Sequence, residues 1–99
     1  MTEREAYVAF NLTDKVGFAT VGRLALEHGS VADAWNAYPK KVSRSGGEID
    51  FGKEFALAEK FGVEIVTLAD EGYPAQLRDT PGCPLVLYVK GSVRALSLP

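Results

Sequence analysis

Ala6, Tyr7 and Phe10, with Val8 beside them, recur at the three- and four-residue spacing of a helix packed on one side. Ahead of them Thr2-Glu3-Arg4-Glu5 fits a capping box. In that motif the Thr hydroxyl accepts from the Glu amide and the Glu carboxylate reaches back. This helix is predicted to run to about Leu12, where Thr13-Asp14-Lys15-Val16-Gly17 interrupts the pattern. Val21, Leu24 and Ala25 then share one face of a second helix, from about Phe18 to His28, with Gly29 placed as a left-handed stop. Ser30-Val31-Ala32-Asp33 opens a third helix through Trp35 to Tyr38. Pro39 ends it, because the residue before a proline is pushed out of helical geometry. Lys40-Lys41-Val42-Ser43-Arg44-Ser45-Gly46-Gly47 reads as a basic, flexible connector with room for a helical turn. Asp50 caps a fourth helix from Phe51 to Phe61, with Phe51, Phe55 and Ala58 on one side, and Gly62 closes it.

Beyond Gly62 the period changes. Val63-Glu64-Ile65-Val66-Thr67-Leu68 is short and β-branched, which predicts a strand. A turn at Asp70-Glu71-Gly72-Tyr73-Pro74 leads to a short helix through about Arg78, with Pro74 suited to its first position. Pro81-Gly82-Cys83-Pro84 is a rigid loop, and Leu85-Val86-Leu87-Tyr88-Val89 reads as a strand buried on both faces. The expected architecture is α+β: a helical bundle over residues 1–62, then strand, short helix and strand over 63–99. Two strands make a marginal sheet on their own. Either the helices cover the pair, or a second copy completes the sheet, or the natural protein continues, and the last is preferred.

Composition narrows the function classes. The formal net charge is −2 and no basic run is long, which argues against strong nonspecific nucleic-acid binding by the chain as a whole. One cysteine and one histidine leave no disulfide framework and no expected zinc site. No apolar run approaches the ~20 residues of a membrane helix, and Met-Thr-Glu-Arg-Glu has no secretion-signal core. A cytoplasmic location is the expectation. There is no Gly-x-Gly-x-x-Gly, no phosphate-loop pattern and no evident carboxylate pair, so neither an enzyme nor a cofactor is expected. Cys83 lacks an obvious His partner and carries little weight as a nucleophile. His28, just before Gly29, suits the negative end of a helix dipole.

Two stretches carry a family resemblance. "EREAYVAFNLTDKVGFATVGRLALEHGSVADAW" is similar to the small helical domain, with a helix-hairpin-helix-like turn, of the DprA/Smf family. "LAEKFGVEIVTLADEGYPAQLRDTPGCPLVLYVKG" resembles that family's approach to its Rossmann-like core. The pattern is Asp70, Tyr73, Pro74 and Leu77, then Pro84, Leu87, Tyr88 and Gly91. The resemblance covers nearly the whole chain and implies a SAM-like bundle followed by the first strand-helix-strand of a Rossmann-like α/β domain. In that family a Gly-Ser/Thr-Arg motif comes next and begins the single-stranded-DNA pocket. The sequence stops before it, which reads as a truncation. The resemblance further implies a protein that binds single-stranded DNA, shields it and helps load the recombinase RecA in DNA uptake and recombination.

Within this frame the hairpin Lys15-Val16-Gly17 is the chemical candidate. A helix-hairpin-helix turns backbone N–H groups and a helix N-terminus toward a phosphate. Gly17 fills the motif's second glycine place and Val16 its apolar place, but Lys15 stands at the first glycine. Thr20 and Arg23 follow on the next helix and can add a hydroxyl and a guanidinium. The competing reading is a plain connection, with Val16 plugging the core and Gly17 easing a tight turn. Lys40, Lys41 and Arg44 form the densest basic cluster, either an extension of a DNA track or a solvated loop. Trp35 and Phe10, Phe18, Phe51, Phe55 and Phe61 are expected in the core, Tyr73 at the turn, and Tyr88 in core or interface rather than stacking on bases. A second functional class stands beside DNA contact: protein interaction or homodimerisation through the edge offered by Leu85 to Val89.

Overall fold

A computed structural model describes residues 1–38, 42–44, 46 and 49–90. Among these residues five helices and two strands follow in the order α1 (Glu3–Asn11), α2 (Phe18–His28), α3 (Val31–Ala37), α4 (Phe51–Lys60), β1 (Val63–Thr67), α5 (Ala75–Arg78) and β2 (Val86–Lys90). The chain is a small α+β fold whose two strands pair antiparallel, Val63 opposite Lys90 and Thr67 opposite Val86.

The starts of α1, α3 and α4 are chemically specified. Thr2 Oγ1 accepts from the Glu5 amide at 3.1 Å, and Glu5 Oε1 accepts from the Thr2 amide at 2.8 Å. Ser30 and Asp50 cap α3 and α4 through the amides of Asp33 and Lys53. Gly29 and Gly62 turn left-handed at φ 94° and 67°, a region that excludes most side chains. Pro74 sits one place earlier than expected, as the residue capping α5 rather than its first helical position.

One hydrophobic core runs from the helices into the sheet. Ala6, Val8, Ala9 and Phe10 of α1 meet Val31, Ala34 and Trp35 of α3, together with Val16, Val21, Ile65, Leu85 and Val86. Alanines at 6, 9 and 34 are fully buried and let α1 and α3 approach closely. Phe10 lies edge-on to Trp35 at 5.2 Å and to Tyr38 at 5.6 Å. Both α1 and α2 pack on α3, and they share no comparable contact with each other.

Several expectations need correction. Strand β2 is not buried on both faces: Val86 is buried, Leu87 and Val89 are half-buried, and Tyr88 is 45 % exposed. Burial instead differs between the strands: Ile65, Val66 and Thr67 of β1 are buried, whereas Val86 is the one buried residue of β2. Tyr88 is therefore a surface residue, donating its hydroxyl to Glu54 Oε2 at 3.0 Å. Phe18 and Phe61 are not core residues either, at 38 % and 63 % exposed, and Phe51 and Phe55 are half-buried. Helical spacing identifies a face but not how much of it a neighbour covers. Helix α4 packs mainly on β1, with a lighter contact to α1, and buries none of its residues fully. Residues 40, 41, 45 and 47 of the connector lie outside the described residues, and in the rest the Gly46 amide donates to the Ser43 carbonyl at 3.1 Å. Residues 42–44 return to the α1–α2 turn, where Thr13 and Ser43 make an antiparallel bridge.

Candidate nucleic-acid interface

The α1–α2 turn is built from both sides. Thr13 is fully buried, and its hydroxyl donates to the Ala9 carbonyl at 2.8 Å. The Asp14 amide donates to the Val42 carbonyl at 2.6 Å. Lys15 then takes φ 60°, the left-handed region, at a cost of about 1–2 kcal/mol for a residue with a Cβ. Val16, 2 % exposed, plugs the core. Gly17 precedes α2 at φ −133°, ψ −170°, extended backbone open to any residue. The expectation that Gly17 eases a tight turn is thus corrected: the tight position is Lys15.

Gly17 contributes openness instead. A Cβ built there meets no atom within 4 Å. Helix α2 has no side-chain cap and no acid in its first turn, whereas α1, α3 and α4 each have both. Among the described residues, the backbone N–H groups of Lys15 to Thr20 donate no hydrogen bond. Thr20 is half-buried and Arg23 is exposed one turn further along α2. Neither Lys15 nor Arg23 has an ion-pair partner among the described residues. The acid nearest in sequence, Asp14, lines a shallow groove of about 420 Å³ with Lys15, Tyr38 and Val42.

The basic cluster divides. Lys40 and Lys41 lie outside the described residues. Arg44 turns toward the hairpin: Nε donates to the Asn11 carbonyl and Nη2 to the Val16 carbonyl, each at 2.9 Å.

Residues that sequence reasoning missed hold the rest together. Glu3 spans 28 and 29 residues to accept from the Val31 and Ala32 amides, at 2.9 and 2.7 Å, so two elements cap α3 at once. Asp70 Oδ2 accepts from the Thr67 amide at 2.7 Å, from the Thr67 hydroxyl at 3.2 Å and from Arg4 Nε at 3.1 Å. Arg4 also donates to the Ile65 carbonyl and lies over the Phe55 ring. The buried Tyr73 donates its hydroxyl to the Pro84 carbonyl at 2.7 Å. Burial first, and then the neighbouring Cys83 thiol, push the Tyr73 phenol up to about 12. In this chain the Asp70, Tyr73 and Pro84 positions form a joint between α1, β1 and β2. A Thr and an Asp three residues apart signal the local bond, but nothing local signals Arg4.

Leu57, Phe61, Val63 and Tyr88 line an apolar groove of about 300 Å³ between α4 and the sheet. Among the described residues each strand has only the other as a strand partner. No helix among them is long and apolar enough to cross a membrane. Comparison with protein-family models, with curated proteins and with solved structures finds no match.

Proposed function

We propose that the chain is the N-terminal accessory region of a DprA-like, single-stranded-DNA-binding protein of the cytoplasm that assists RecA loading in DNA uptake and recombination. In this reading the helices form the SAM-like bundle, and β1, α5 and β2 open a Rossmann-like domain. The antiparallel pair is compatible with that, since many such sheets carry an antiparallel edge strand. The observation that carries the reading is the hairpin: six successive backbone N–H groups without internal partners, flanked by Lys15 and Arg23 without counter-ions among the described residues. The DNA contact is a small one. Two cations predict a slope of about −1.4 in log K against log salt on a single strand, or about seven-fold weaker binding between 50 and 200 mM.

The test is charge reversal. Lys15→Glu combined with Arg23→Glu is expected to weaken oligo-dT binding at least ~10-fold at low salt while leaving the helical circular dichroism unchanged. Unaltered binding would remove the hairpin from the interface.

A second reading has its own observation. Leu57, Phe61 and Tyr88 are 40 %, 63 % and 45 % exposed on one groove beside the sheet. Such clustering supports a protein-interaction or homodimer surface. A mass that rises with concentration in light scattering, with no DNA binding, would favour it.

A further inference from the structure

The geometry points to Arg44 as a positioning residue that sets the shape of the hairpin, rather than as a contact to DNA. This rests on the phosphate-binding role proposed for the hairpin and adds what holds that site in place.

Residues 42–44 embrace the turn at four points. The Arg44 amide donates to the Leu12 carbonyl at 3.0 Å, and the Asp14 amide donates to the Val42 carbonyl. The guanidinium then reaches both ends of the turn, with Nε on the Asn11 carbonyl and Nη2 on the Val16 carbonyl. Asn11 is the last residue of α1, so the positive charge also lies at the negative end of that helix. Val16 is the core plug immediately before Gly17. Fixing these two carbonyls fixes the span between them, which includes the left-handed Lys15.

The geometry requires an arginine. A planar guanidinium presents donors in a rigid fork that can meet two carbonyls at once. A lysine ammonium on a flexible stem supplies the same charge without that fork. Arg44 would act by holding the amides of residues 15–20 in one arrangement, so its effect is on geometry and not on the count of charges facing phosphate.

The experiment compares Arg44→Lys and Arg44→Ala with the unsubstituted chain. Oligo-dT anisotropy is measured over a salt series, with amide spectra and exchange on the same samples. Both variants are expected to bind about five-fold more weakly, the worth of one net hydrogen bond. Their salt slopes should match that of the unsubstituted chain, whereas Lys15→Ala flattens its slope by about 0.7. Amide shifts should move at Asp14 to Gly17 and stay fixed along β1 and β2. Full rescue by Arg44→Lys, or a slope flattened by Arg44→Ala as by Lys15→Ala, would make Arg44 a phosphate contact and overturn the inference. If the unsubstituted chain binds no oligo-dT, the proposed function falls, and Asp14 amide exchange decides alone. Exchange about ten-fold faster in both variants supports the clamp, and unchanged exchange refutes it.

Discussion

Phe10→Ala is expected to remove about 3–5 kcal/mol of folding stability, the usual cost of deleting a buried phenylalanine. The ring is fully buried where α1 meets α3, edge-on to both Trp35 and Tyr38. Edge-to-face pairs add about 0.5–1.5 kcal/mol beyond area, so two are lost with the ring. A chain of this size commands only about 5–15 kcal/mol in total, and the substitution therefore takes a large share of it. Phe61→Ala is the internal comparison: with 63 % of that residue exposed, its loss should stay within about 0.5 kcal/mol. Urea denaturation followed by circular dichroism measures both. A Phe10→Ala loss below about 1 kcal/mol would mean that the core is not centred on this ring.

Asp70→Ala is expected to cost about 2–3 kcal/mol, for a different reason. Thr67 is fully buried, and its amide and hydroxyl both donate to Asp70 Oδ2. Removing the carboxylate leaves that buried amide without its acceptor, which forfeits its full desolvation cost. The ion pair to Arg4 adds little, because the two side chains are 43 % and 29 % exposed and water screens them. Arg4→Ala should accordingly be the milder variant. Thermal denaturation of both separates the contributions. An Arg4→Ala loss equal to or larger than that of Asp70→Ala would show that the contacts of Arg4 to Asp70, Ile65 and Phe55, not the turn, are the working part of the joint.

What could be read along the chain was whatever is local. Thr2 with Glu5, Ser30 with Asp33 and Asp50 before Phe51 announce three helix starts within four residues, and Gly29 and Gly62 mark stops that demand a positive φ. The tertiary choices left no such trace. Glu3 caps a helix 28 residues away, and Arg4 meets Asp70 across 66 residues. Residues 42–44 read as a basic connector, yet they close on the hairpin through backbone bonds that any sequence can make, together with the two bonds of the Arg44 guanidinium. Phe61 looked like core because apolar character specifies a preference and not a neighbour. At the candidate site the turn, its apolar plug and its cations were legible. That the strained residue is Lys15 and not a glycine was not, because the motif's usual glycines suggested otherwise.

Gly17→Asp separates folding from DNA contact more cleanly than any other change. Gly17 is the uncapped residue before α2, in extended geometry with open space around it, so an aspartate fits and can cap the helix. That gain is a few tenths of a kcal/mol. The same carboxylate places a negative charge on the amides proposed to meet phosphate. The most direct measurement is fluorescence anisotropy of labelled oligo-dT titrated with the unsubstituted chain and with Gly17→Asp, at low and near-physiological salt. The predicted result is saturable binding by the unsubstituted chain that weakens with salt, and no binding by a variant that melts no lower. Equal binding by both proteins, or none by the unsubstituted chain at either salt, would contradict it.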